Sequence, residues 1–195
     1  MIDSFQTITN EISEGFYSEK RSKFFAFAHH VTSVDEIKTI VAFYRKKYFD
    51  ARHVCHAYML GAERKEFHSN DDGEPSSTAG KPILGQINSN GLTDILIVVV
   101  RYYGGVNLGT SGLIAAYRSA AADAIGNARI VEEIVEEHIT YDFTYPMMNE
   151  VMRIVKDMNA RIISQHFDNT SSITLGIRKS EAENLRDRLA KLSFL

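Results

Sequence analysis

The chain is poor in cysteine, in long apolar runs and in net positive charge. Its single cysteine, Cys55, cannot close an internal disulfide, and that fits a reducing cytoplasm. The longest uninterrupted apolar run, residues 95–100, is far too short to span a bilayer. The opening residues, MIDSFQTITNEIS, lack the basic start and apolar centre of a signal peptide. A cytoplasmic protein without a membrane partner is expected. Net charge is −3, which excludes a global basic field for nucleic acid. The deficit lies in residues 131–195, with 8 Lys/Arg against 11 Asp/Glu, whereas residues 1–130 balance at 14 of each.

The most telling segment that is present is ILIVVVRYYGGVNLGTSGLIAAY, residues 95–117. A buried strand runs into Arg101-Tyr102-Tyr103, then a loop with Gly104, Gly105, Gly109 and Gly112, then an Ala-rich helix. A strand feeding a glycine-rich turn that opens a helix presents free N–H groups and a positive dipole end to an anion. Gly104-Gly105 frees the backbone for positive φ, and Thr110 or Ser111 would cap the helix. The spacing matches neither the P-loop nor G-x-G-x-x-G. Arg101 beside Tyr102 and Tyr103 is suited to holding phosphates or stacking bases. Equally, the same residues would serve a tight structural turn.

Positive charge in the first part clusters as Lys20, Arg21, Lys23 and as Arg45, Lys46, Lys47, Arg52. Such clusters form either a solvated face or a patch that meets phosphates. The loop HSNDDGE, residues 68–74, gathers Asp71, Asp72 and Glu74. Its spacing is not that of an EF-hand, and Asp and Asn favour turns by bonding their own backbone. His53 and His56 invite a zinc reading, but residues three apart on a strand face opposite ways. No metal or cofactor is implied. As nucleophiles, Cys55 reads as a small buried side chain, and Ser111 lacks the G-x-S-x-G elbow.

Periodicity predicts strands over 23–31, 52–60, 93–101 and 138–143. It also predicts helices over 34–48, with Ser33 before Asp35 and Glu36 at the start, and over about 111–126. Residues 82–87 suit a short helix, and 70–81 a polar loop. The charged stretch RIVEEIVEEH, residues 129–138, reads as a junction between domains 1–130 and 131–195. Beyond it a helix over 147–158, strands over 161–167 and 171–178 about a turn at Asp168-Asn169, and a closing helix complete a β-α-β-β-α order. A final strand would be absent or reduced to Phe194-Leu195.

Four segments together, RSKFFA (21–26), CHAY (55–58), DDGEPSSTAGKPIL (71–84) and VVVRYYGGVNLGTSGLIAAY (98–117), resemble the family of bacterial YigZ and eukaryotic IMPACT proteins. Ser77 departs from the pattern, which usually carries glycine there. The resemblance implies an α+β fold, with a ribosomal protein S5 domain 2-like domain. A small ferredoxin-like domain, similar to the last domain of elongation factor G, would follow. It marks Asp71, Asp72, Glu74, Pro75, Arg101, Tyr102, Gly104, Gly105, Gly109 and Gly112 as motif residues. It implies a non-enzymatic, translation-linked regulator that binds RNA, the ribosome or a translation-related protein. The competing expectation is an enzyme of phosphoryl-transfer or hydrolase type that uses the acidic and glycine-rich loops together. The sequence names no general base for it.

Overall fold

The computed structural model describes residues 2–167 and 171–192. The chain divides into two compact units, one spanning Phe5–Glu133 and the other holding the described residues of 1–4 and 134–195. Both mix helices and strands, and no described helix is long and apolar enough to cross a membrane.

The larger unit runs β1 (Ser4–Ile8), β2 (Ser13–Glu19), β3 (Ser22–His30), α1 (Val34–Lys47), β4 (His53–Leu60), β5 (Glu66–Asn70), α2 (Gly80–Ser89), β6 (Ile95–Tyr102) and α3 (Gly109–Asn127). Strand β7 (Ile130–Ile134) follows and pairs with β1 as a two-stranded sheet. The other five strands form one sheet in the order β2-β3-β6-β4-β5. Its middle is β6, whose residues 95–100 are all buried. Alternation splits that strand between two cores. Ile95, Ile97 and Val99 pack with α2 and α3, including the fully buried Tyr117. Leu96, Val98 and Val100 pack with Ile37, Val41 and Tyr44 of α1. Helix α1 begins where the Ser33 side chain accepts from the Glu36 N–H at 3.3 Å, an N-cap of the expected kind.

The smaller unit runs β8 (Glu136–Phe143), α4 (Met148–Asp157), β9 (Arg161–Phe167), β10 (Ser171–Arg178) and α5 (Ala182–Leu192). Its sheet is antiparallel in the order β8-β10-β9. Ile139, Ile173, Leu175 and Ile177 meet Val151, Val155, Leu185 and Leu189 in a core of its own. The expected turn at Asp168-Asn169 and any strand at Phe194-Leu195 lie outside the described residues.

Three differences from the sequence reading matter. Helix α3 starts at Gly109 after Leu108, with no side-chain cap, so Thr110 and Ser111 lie within the first turn rather than capping it. Positive φ is needed at Gly105 (88°) and Gly109 (72°), but Gly104 is absent from that set. Gly104 is there for space, since a Cβ on it would lie 2.1 Å from the Arg21 carbonyl carbon. Finally, 130–134, read as part of a charged junction, is strand β7.

Candidate functional site

At its exit, β6 carries Arg101 opposite Phe24 of β3 and His53 of β4. The alternation that turns Val99 toward α3 turns Arg101 the same way, and only 5% of it is exposed. A buried guanidinium requires a partner, and Glu74 from the 71–74 loop supplies one: Arg101 Nη1 donates to its Oε1 at 2.6 Å. Tyr117 of α3 donates its hydroxyl to the same oxygen at 2.7 Å. The second oxygen, Oε2, lies 3.7 Å from His53 Nε2. His53 Nδ1 sits 2.7 Å from the Asp72 carbonyl oxygen. A carbonyl only accepts, so Nδ1 carries the proton. Cys55 closes the network, its thiol 3.4 Å from Tyr117 Oη and 3.1 Å from the Asp71 carbonyl. Burial pushes the Cys55 thiol and the Tyr117 phenol well up, so Cys55 stays a neutral packing group, not a nucleophile.

The two aspartates are spent on architecture. Asp71 accepts from the backbone N–H groups of Ser77 (2.8 Å), Ala79 (3.1 Å) and Gly80 (2.8 Å). Those last two amides open α2, which has no cap of its own, so a carboxylate from outside the helix does the capping. Asp72 accepts from Arg45 at 2.9 Å and from the Val54 N–H at 2.7 Å. Ser77, the departure from the family pattern, sits at φ 66°. Glycine adopts that conformation without strain.

Arg52, His53, Glu74, Arg101, Gly109 and Thr110 meet around a cavity of about 530 Å³. The acidic and glycine-rich loops therefore converge there, though only Glu74 of the three acidic-loop carboxylates lines it. The Arg101 guanidinium lies between the Phe24 and Tyr103 rings, 5.6 Å from each centroid. Its Nε is buried without a hydrogen-bond partner among the described residues. Tyr103 itself is exposed and bonds Asn107 at 3.1 Å. Tyr102 points to the other face, donating to Asp50 at 2.8 Å.

The other sequence candidates scatter. Lys20 and Arg21, at φ 44° and 66°, form the two-residue β2–β3 turn against which Gly104 packs, its N–H bonded to Ser22 Oγ at 3.2 Å. Lys23, at the foot of β3, is exposed. Arg45 lies across the sheet from the cavity, in a groove beside α1 that His56 also lines. His53 and His56 thus serve opposite faces. Lys46 is exposed, and Lys47 extends over the Phe43 and Tyr48 rings. Ser111 is exposed and Gly112 only partly so. Tyr117 is the site residue that the sequence reading did not single out. Its signal was a hydroxyl-bearing ring on the buried face of an Ala-rich helix, where the O–H demands a partner.

The model of the Impact N-terminal domain matches residues 20–125 of this chain. The chain belongs to the IMPACT family. IMPACT family member YigZ of Escherichia coli (strain K12) is 30% identical over 176 residues, which cover 89% of this chain and 86% of YigZ. The IMPACT family member of Haemophilus influenzae is 32% identical over 179 residues, 89% and 85% of the two chains. Protein IMPACT of Rattus norvegicus matches 97 residues at 33% identity, 47% of this chain and 30% of its own. A crystal structure described as that of a hypothetical protein is similar at TM-score 0.75 and 28% identity, covering 99% and 94% of the two chains. The matched IMPACT segment contains every residue that lines the cavity.

Proposed function

We propose that this IMPACT-family chain is a non-enzymatic, translation-linked regulator that grips phosphate of RNA on the ribosome. The larger unit acts as an S5 domain 2-like binding domain, and the smaller as a ferredoxin-like companion. Contact is made at the mouth of the Arg101–Glu74 cavity, where Arg52 and the first turn of α3 offer positive charge and N–H groups.

The carrying observation is how the acidic loop is spent. An enzyme of phosphoryl-transfer or hydrolase type that works through the acidic loop needs one of its carboxylates free as a base within reach of the substrate. Asp71 is consumed by three amides, Asp72 by Arg45 and Val54, and Glu74 by Arg101 and Tyr117. What stays open at the cavity is the helix terminus, the exposed Arg52 and the Nε2 of His53, which lies 3.7 Å from the nearest Glu74 oxygen.

Because Arg101 is buried, Arg52→Ala is the cleaner test. Cosedimentation with purified ribosomes, and titration of a protein-free RNA as a second arm, should both weaken. The log K against log salt slope should shrink by roughly 0.9 for one lost phosphate contact. Unchanged affinity and slope would remove Arg52 from the interface. Ribosome binding that survives without any RNA binding would point to a ribosomal or translation-factor protein as the partner.

A further inference from the structure

Across the sheet from the cavity, α1 leaves a groove of about 460 Å³ against β4 and the edge strand β5. That volume falls within the roughly 300–1,000 Å³ of ordinary small-molecule sites. Its walls are apolar: Val34, Ile37, Val41 and Ala42, spaced along one face of α1, and Tyr58 opposite. Every charged or ionisable group along it apart from Tyr58 carries nitrogen, namely Lys38, Arg45, His56 and His68, and no carboxylate lines it. Arg45 is partly offset by Asp72 behind it, and Lys38 has only a loose 4.0 Å link to the exposed Asp35.

The second observation is His56. It is 9% exposed, lines the groove, and its Nδ1 is buried with no hydrogen-bond partner among the described residues. An unpaired buried ring nitrogen costs free energy that a bound polar group recovers. The His68 ring stands 6.2 Å from the His56 ring, and the Tyr58 ring 6.0 Å from that of His68. Three rings, His56, His68 and Tyr58, thus gather along the groove and can offer ring N–H and O–H groups to a polar head. Burial, helped by His68 and Arg45, pushes His56 down to about 4. The ring is therefore neutral at physiological pH, and a guest bearing an anion meets a polar rather than a charged floor.

We infer that this groove is a binding site for a small apolar carboxylate, its chain along the α1 wall and its head group among His56, His68 and Lys38. The site is separate from the Arg101–Glu74 cavity and does not depend on the regulator reading. The apolar wall selects for hydrocarbon, and the excess of nitrogen groups selects for a negative head.

The test is a titration of the intact chain with octanoate, with 1-octanol as the neutral-head control, read by histidine side-chain NMR. Octanoate should saturate, shift the His56 and His68 ring signals selectively, and bind roughly tenfold more tightly than octanol, the worth of one charge-assisted contact. Ala42 is exposed on the groove wall, so Ala42→Trp should fill the groove without disturbing the core, and it should abolish the shifts. His56→Phe should keep the ring volume and weaken octanoate by a similar roughly tenfold factor. Equal affinity for octanol, or saturable octanoate binding that survives Ala42→Trp, overturns the assignment. Should His56→Phe not fold, the Ala42→Trp result decides alone.

Discussion

The two units differ in one ion pair, sealed from solvent in the larger and without a counterpart among the described residues of the smaller. In the larger one a guanidinium and a carboxylate are sealed together, Arg101 and Glu74 having side chains only 6% and 3% exposed. In the smaller unit Arg161 pairs with Glu136, Arg186 with Glu137 and Arg188 with Asp157, each with an arginine at least a third exposed. A sealed pair offers little net stability over an apolar pair of similar volume, yet losing one partner is severe. An exposed pair is worth little either way. Sealed charge therefore marks where geometry is being held, and here it holds the wall of the cavity.

The sharpest way to break this contrast is Glu74→Ala. It leaves Arg101 charged, buried and unpaired, and should cost roughly 3–5 kcal/mol in denaturant unfolding of the larger unit. The double variant Glu74→Leu/Arg101→Leu should recover most of that loss. A double variant as unstable as the single one would show that the pair is not what Glu74 supports.

Next comes Gly104→Ala. A Cβ there would meet backbone at 2.1 and 2.3 Å, so the β2–β3 turn or the loop must shift, at roughly 1–3 kcal/mol. Gly105 has nothing within 4 Å of such a Cβ and suffers only from its φ of 88°. Gly105→Ala should therefore cost less, about 1 kcal/mol. Thermal unfolding of the two variants side by side checks the order, and a reversed order would deny Gly104 its packing role. Smallest is Arg161→Ala in the other unit, which should change stability by no more than about 1 kcal/mol and less at high salt. A loss on the scale of Glu74→Ala would erase the distinction between the units.

Much of the fold was legible where local signals agree. Strands β9 and β10 fall at 161–167 and 171–178 as the pattern predicts, and Ser33 starts α1. Beyond β1, whose segment alternates only weakly, three strands escaped notice for one physical reason. β2 reads SEGFYSE, β5 EFHSN and β7 IVEEI, and in each most residues are exposed or only partly buried. Edge strands carry polar and charged residues because one side faces water. Only their partners, not their composition, declare them. At the site, Glu74 and Arg101 were each recognisable from their motifs, but 27 positions apart nothing local says that they pair. That pairing turned an expected phosphate-binding arginine into an internal strut. It shifted the cation nearest the cavity mouth to Arg52, whose part in the basic cluster had been visible all along. Gly104 and Gly105 looked alike in sequence, yet one is required for room and the other for its dihedral angle.

The manner in which the acidic loop is fastened also divides its response to ionic strength. Mobile ions screen charge pairs that face solvent and act weakly on amide dipoles fixed within a turn. The Asp72–Arg45 link, with side chains 28% and 49% exposed, belongs to the first kind. The hold of Asp71 on the amides of Ser77, Ala79 and Gly80 belongs to the second. Rising salt therefore slackens the side of the loop that faces the groove and leaves the start of α2 anchored, so one short segment answers to its ionic surroundings on one face of the sheet and is deaf to them on the other.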